Sequence, residues 1–182
     1  MRYGRVRREL SEPCTQIFRK FVHTCRERGI SCISTPEVLG QIPGVIIRKV
    51  NEEFDRLGIR GFAIRQDIIR KLMRNLRRFE DNLEVFDIGV DHQLVDRVRE
   101  FYSKPEFAER LEKLRSRKNR ETLIPEESDM EIISQAIRIN DKRLSIDFIS
   151  SDGDFTHFSE EIEGEFGICV VSVAEAYGVY FR

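Results

Sequence analysis

The chain has 182 residues, of which 40% are hydrophobic and 35% are charged, and its formal net charge is −1. This composition suits a single folded domain spanning residues 1–182. No apolar run approaches about 18 residues, which excludes a membrane span. The charge is unevenly placed, since residues 1–120 hold 27 basic and 18 acidic side chains, whereas residues 121–182 hold 14 acidic and 4 basic ones.

The four cysteines and the N-terminus indicate a reduced, cytoplasmic protein. None of Cys14, Cys25, Cys32 and Cys169 forms a CxxC pair, which argues against a structural zinc site. Residues 1–12 form a basic N-terminal segment without the apolar core of a secretory signal. We therefore expect reduced thiols and no membrane partner.

Helical spacing of apolar residues and runs of β-formers predict the elements of the first half. Helices are expected over residues 13–28, 35–42, 45–57, 65–79 and 91–102. Thr35 is the expected N-cap of the second helix, and Pro43 with Gly44 is expected to separate it from the third. Strands are expected over residues 30–34 and 83–89.

Residues 103–128 are the most polar part of the second half, and we expect a mobile insertion there that contains a short helix and then a loop. Further helices are expected over 129–139 and 157–166, and strands over 146–150 and 167–173. The predicted strands alternate with helices and are mostly apolar. This pattern favours an α/β fold with three layers, α/β/α, and a mainly parallel sheet.

Two aspartates, Asp152 and Asp154, follow the strand over residues 146–150. In a parallel sheet, sites form at the carboxyl ends of the strands. Crowded carboxylates repel each other, and a divalent cation between them removes that cost. The alternative interpretation is an acidic turn in which Asp154 caps the following helix.

Three stretches resemble the PIN and PIN-like nuclease superfamily, including its NYN branch. "ISCISTPEVLGQI" is similar to the family's second strand and the helix that carries its glutamate. "ESDMEIISQAIRI" is similar to the helix that carries an aspartate, here Asp129. "RLSIDFISSDGDF", followed by "GICVVS", is similar to the strand that ends in Thr/Ser-x-Asp-x-Asp-Phe.

This resemblance implies a metal-dependent ribonuclease that cleaves phosphodiester bonds of single-stranded or structured RNA. It implies that Asp129, Asp152 and Asp154 bind Mg²⁺ or Mn²⁺, with Asp129 and Asp152 about 4–7 Å apart. The position of the family's glutamate is Gln41, and Glu37, one turn earlier, could take its place in the catalytic set, with Ser150 and Gln41 in support. The bound metal would activate a water molecule for attack on the phosphate.

Two departures from the family pattern favour a different function. The family glutamate falls at Gln41, and residues 1–12 contain no aspartate where the family has its first acidic strand. We expect residues 2–8 on the surface or at a subunit contact, with the sheet closed by direct strand pairing, by residues 177–181, or by a second copy in a homodimer. The alternative function is therefore a catalytically impaired domain that binds nucleic acid or a protein. A third interpretation is an unrelated α/β domain whose acidic turn is only a helix cap.

Basic side chains form two clusters that could hold a phosphate backbone. One lies on the helix over residues 65–79 and includes Arg74 and Arg77. The other lies in the polar segment and consists of Arg110, Lys113, Arg115, Arg117, Lys118 and Arg120. Neighbouring glutamates, among them Glu109, could instead neutralise the second cluster.

Overall fold

The structure is a computed structural model, and it describes residues 14–118, 122–144, 146–150 and 152–180. The chain divides into two compact units, of which the first ends at Asp87 and the second begins at Ile88. Whether both units belong to one domain stays a prediction. Residues 1–12, together with the prediction made for residues 2–8, lie outside the described residues.

In its described residues, 14–87, the first unit contains three helices and one small sheet. Its elements are α1 (Cys14–Glu27), β1 (Ile33–Ser34), α2 (Pro36–Arg56), α3 (Phe62–Glu80) and β2 (Glu84–Val85). Strands β1 and β2 pair in parallel. Helix α1 ends before Gly29, whose φ of 70° lies in the left-handed region that favours glycine.

Helices α2 and α3 pack against each other around a small core. Val50, Phe54 and Ile69 are its buried members. The guanidinium of Arg65 lies over the ring of Phe54, 5.1 Å from its centroid, and its Nη2 is 3.0 Å from a carboxylate oxygen of Asp55. These contacts join the end of α2 to the beginning of α3.

The expected break at Pro43 and Gly44 is wrong, because α2 runs without interruption from Pro36 to Arg56. Proline removes one backbone hydrogen bond and usually kinks or ends a helix, at about 3 kcal/mol. Residues after Pro43 pack their apolar side against α3 through Ile46, Val50 and Phe54. Burial of that side favours a continuous helix over the local preference.

The second unit is also mainly helical. Its elements are α4 (His92–Tyr102), a 3-10 turn (Pro105–Phe107), α5 (Ala108–Lys118), α6 (Glu127–Ile139), a π-helical turn (Asn140–Leu144), β3 (Asp147–Ser150), α7 (Gly153–Thr156), α8 (Ser159–Phe166), β4 (Cys169–Ser172) and α9 (Val173–Tyr180). Asp91 caps α4, since its side chain accepts hydrogen bonds from the backbone N–H groups of Gln93 and Leu94 at 3.1 and 3.2 Å.

A larger core holds the second unit together. Side chains from most of its helices and from β4 contribute, and the most deeply buried are Val98, Ile133, Phe158, Ile162 and Ile168. Strands β3 and β4 pair in parallel, with Asp147 opposite Cys169 and Ser150 opposite Ser172. The short helix expected in the polar segment is confirmed as α5, whose Leu111 and Leu114 are buried.

The three-layer α/β/α fold with a mainly parallel sheet is wrong. In the described ranges the strands form two separate two-stranded sheets, and helices dominate both units. The run over residues 30–34 contributes only two strand residues, and β2 is exposed at both of its positions, unlike a central strand. Residues 177–180, considered for the sheet, lie in helix α9.

No helix in the described part of the chain is both long enough and apolar enough to cross a bilayer.

Candidate nucleic-acid interface

Helix α3 has an apolar side and a basic side. Ile69 and Leu76 are buried on the apolar side. The opposite side carries five exposed cations, which we call the basic face: Arg70, Lys71, Arg74, Arg77 and Arg78. With 3.6 residues per turn, these five positions fall within an arc of about 120°. The sequence predicted this helix over residues 65–79, and the structure confirms and extends it.

Most of the basic face has no acidic partner. Arg70 Nη1 is 3.3 Å from an oxygen of Asp67, and both side chains are at least 70% exposed. Among the described residues, Lys71, Arg74, Arg77 and Arg78 make no ion pair. Four like charges on successive turns repel one another, and a bound polyanion would remove that repulsion.

The end of the helix explains only part of this charge. Arg77 and Arg78 lie in the last turn of α3, where cations interact favourably with the helix dipole. Lys71 and Arg74 lie in the middle of the helix, where the dipole gives no such gain. The dipole therefore accounts for two members of the basic face and gives no such stabilisation to Lys71 and Arg74.

The second basic cluster is partly neutralised. Lys113 Nζ is 2.6 Å from an oxygen of Glu109 one turn earlier. That hydrogen bond, together with the lysine charge, holds the pKa of Glu109 below its ordinary value. Arg115 is exposed. Arg120 lies outside the described residues, as do the side chains of Arg117 and Lys118.

Arg110, which lies on α5, joins this helix to α8 through side-chain contacts. Its Nη2 pairs with Glu161, and its Nη1 donates to the backbone oxygen of His157 at 3.1 Å. The guanidinium lies over the ring of Phe158, 4.6 Å from its centroid. The hydrogen bond from Arg110 lowers the pKa of Glu161. Arg110 therefore stabilises the fold, a role that the polar composition of residues 103–128 did not indicate.

The acidic turn after β3 has a well-defined local structure. Asp152 is the N-cap of α7, since its Oδ1 accepts the backbone N–H of Asp154 at 2.8 Å. Its own N–H donates to Ser150 Oγ at 3.0 Å. The turn does cap the following helix, as the alternative interpretation expects. The prediction that Asp154 is the cap is wrong, because Asp152 caps the helix. Ser150 supports the backbone of the turn.

Asp154 lies inside the second unit. Its side chain is buried, with a relative exposure of 0%. Its backbone carbonyl accepts a hydrogen bond from Tyr102 Oη at 2.6 Å, which ties the turn to the end of α4. Tyr102 itself is 1% exposed. The carboxyl group of Asp154 is therefore screened from bulk solvent.

The other predicted site residues lie on separate elements. Asp129 is half-buried in the first turn of α6. Glu37 is half-buried in the first turn of α2, and Gln41, one turn later, is exposed. Both belong to the first unit, whereas the three aspartates belong to the second.

The described residues include no group of three or more histidines, cysteines, aspartates or glutamates arranged to hold a metal ion. Mg²⁺ or Mn²⁺ binding by the aspartates and the catalytic role assigned with Glu37 stay predictions.

Comparison with known proteins identifies no relative: no family model matches the chain, and no similar curated protein or solved structure was found. The PIN-like resemblance stays a prediction from sequence.

Proposed function

We propose that this protein binds RNA through the basic face of helix α3. The observation that carries the proposal is the presence of four exposed cations without an acidic partner among the described residues, on one side of a helix whose other side is buried. Residues three or four apart on a helix are about 5–6 Å apart at their Cβ atoms. Long, flexible lysine and arginine side chains at this spacing can reach successive phosphates of one strand.

The same surface favours contacts with the backbone over contacts with bases. Phe62, at the start of α3, is 78% exposed. It lies about 120° around the helix from the centre of the basic face, so it cannot stack on a base held there. Recognition by phosphate contacts alone carries no sequence information. The ligand class is therefore RNA of any sequence, and binding should depend strongly on salt.

The test compares two double variants with equal loss of charge. Arg74→Gln/Arg77→Gln removes two cations of the basic face, and Arg48→Gln/Lys49→Gln removes two exposed cations of α2 that approach Glu52. Binding of a fluorescent single-stranded RNA of mixed sequence is followed by anisotropy. We expect the α3 variant to bind at least about tenfold more weakly than wild type, and the α2 variant to bind within about threefold of it.

Equal losses in both variants would mean that only the total charge matters, and no loss in the α3 variant would refute the proposal. A duplex RNA of the same length, added as competitor, distinguishes a preference for single strands from general polyanion binding.

Cleavage of RNA is a separate proposal with less support, because Asp152 already serves as a helix cap. It is tested by incubating the RNA with Mg²⁺ or Mn²⁺ and separating the products on a denaturing gel. Metal-dependent products that disappear in Asp152→Asn would support a nuclease. Binding without products supports the binding function alone. RNA binding also agrees with the cytoplasmic location and the homodimer that the sequence suggests, both of which stay part of the proposal.

A further inference from the structure

The last turn of helix α3 is connected to the end of helix α1 through the side chain of Asn82. The amide nitrogen of Asn82 donates a hydrogen bond to the backbone carbonyl of Arg78 at 2.7 Å. The amide oxygen accepts a hydrogen bond from Nη1 of Arg26 at 2.6 Å. Arg26 lies in the last turn of α1, and both helices belong to the first unit. One amide therefore holds the guanidinium of Arg26 beside the C-terminal end of α3.

This contact leaves the charge of Arg26 available. Arg26 is exposed, and it makes no ion pair within the described part of the chain. Its partner, the side-chain amide of Asn82, is neutral, and the bond uses one of the five N–H donors of the guanidinium. The remaining donors suit the oxygens of a phosphate group, which a guanidinium can contact through two N–H groups at once.

Arg26 continues the basic face beyond the end of its helix. Asn82 lies four residues after Arg78, and residues four apart lie on the same side of a helix. Asp81, the C-cap residue of α3, is exposed at this end, but no ion pair joins it to Arg26 or Arg78 in residues 14–118. The positive charges of the first unit therefore extend from the middle of α3 to the end of α1.

A purely structural role would explain the same contact differently. The last four carbonyls of a helix have no partner inside it, and cations near its C-terminus interact favourably with the dipole. Asn82 covers one of these carbonyls, that of Arg78, and Arg26 adds a positive charge beside it. This role affects the stability of α3, but it predicts no effect on RNA binding.

We propose that Arg26 is a further phosphate contact of the RNA site and that Asn82 positions it. The proposal rests on the function proposed for the basic face and extends it to a second helix. The bound strand runs along α3, passes its C-terminal end and reaches the end of α1. For a single strand, each phosphate contact adds about 0.7 to the steepness of log K against log salt concentration, so Arg26 contributes its own increment besides those of the basic face.

The test measures binding of the single-stranded RNA by anisotropy at several salt concentrations. Arg26→Gln removes the proposed contact. Arg60→Gln is the matched control, because it removes an exposed arginine that precedes the other end of α3. We expect Arg26→Gln to bind at least about threefold more weakly than wild type, with a slope less steep by about 0.7. Arg60→Gln should bind within about twofold of wild type, with the slope of wild type.

Asn82→Ala tests the positioning without changing any charge. We expect this substitution to weaken RNA binding less than Arg26→Gln does, and to have no further effect when it is added to Arg26→Gln, because the two residues act through one contact. Urea unfolding of each variant measures the structural contribution, which does not change the salt slope. Equal losses of affinity from Asn82→Ala with and without Arg26 would refute the positioning role.

The results also separate this proposal from the one on which it rests. Suppose that wild type binds RNA and that Arg74→Gln/Arg77→Gln binds more weakly. If Arg26→Gln then keeps the affinity and slope of wild type, or loses only as much as Arg60→Gln, the role of Arg26 alone is refuted. If wild type does not bind RNA, or if Arg74→Gln/Arg77→Gln binds as tightly as wild type, both proposals fail.

Discussion

Replacing Asp152 by alanine removes the oxygen that accepts the backbone N–H of Asp154 at 2.8 Å. Loss of an N-cap side chain typically lowers the free energy of unfolding by about 1 kcal/mol, and up to about 2 kcal/mol in some proteins. Asp152→Asn keeps an oxygen in the same position, and asparagine is as good an N-cap as aspartate. We therefore expect Asp152→Ala to destabilise the second unit by about 1 kcal/mol and Asp152→Asn to change its stability by less than about 0.3 kcal/mol.

The assay is thermal unfolding followed by circular dichroism, with urea unfolding as a second measure. For a domain of about 150–250 residues, such as the single domain predicted for this chain, 1 kcal/mol shifts Tm by about 2–4 °C, so the two variants should still be separated. Both variants are also titrated with Mn²⁺ by calorimetry. A cap function predicts that only the alanine variant loses stability, whereas a metal-ligand function predicts that both lose metal binding, because an amide is a poorer ligand than a carboxylate.

Two results would refute the cap interpretation. One is an equal loss of stability in Asp152→Asn and Asp152→Ala, which would assign the effect to the charge rather than to the hydrogen bond. The other is no loss in Asp152→Ala. Wild-type Mn²⁺ binding that both substitutions abolish would support the metal site that the sequence suggests.

Further expectations concern both units. For RNA binding, the four phosphate contacts of the basic face contribute about −2.8 to the slope of log K against log salt concentration, so their contribution to the affinity of wild type should fall about 50-fold between 50 and 200 mM salt. In Arg74→Gln/Arg77→Gln this contribution should fall only about 7-fold over the same range. Parallel slopes for the two proteins, measured by anisotropy, would contradict this expectation. Tyr102→Phe removes the hydrogen bond to the buried Asp154 carbonyl and should cost about 1–3 kcal/mol in urea unfolding, whereas an unchanged midpoint would show that this bond contributes nothing. Because the pKa of Cys32 is raised from 9.0 to about 12 in the fold, its contribution to stability is complete below pH 9 and is lost as pH rises towards 12; the free energy of unfolding should fall more steeply over this range in wild type than in Cys32→Ser.

Helices with a clear apolar stripe could be predicted from the sequence. The ranges expected for α1, α3, α4 and α6 agree with the structure to within a few residues, because burial of one side decides their formation. All four strands lie within the runs predicted from the sequence, but each is shorter than its run, and their pairing into two separate sheets could not be predicted. A short apolar run such as residues 30–34 has no period long enough to show how many of its residues form a strand. Its partners are 51 positions away along the chain, with Ile33 opposite Glu84 and Ser34 opposite Val85.

Part of the candidate nucleic-acid interface could also be predicted from the sequence, and part could not. The basic helix follows from local spacing, so Arg74 and Arg77 could be found from sequence. Whether each cation has a partner depends on side-chain contacts, and only the nearest of these, such as Lys113 with Glu109, can be anticipated from spacing.

Arg110 also affects how the polar stretch of the second unit meets a protease. Trypsin recognises an extended segment that enters its active site, and the described residues from Lys104 to Arg115 offer it four Lys or Arg positions. Helix α5 packs into the core through the buried side chains of Leu111 and Leu114. Arg110 also joins it to the beginning of α8 through the carbonyl of His157 and the ring of Phe158. Cleavage there requires the helix to detach first, so this segment should survive brief digestion despite its basic residues. Cleavage within it would report unfolding of its surroundings rather than the accessibility of its sequence.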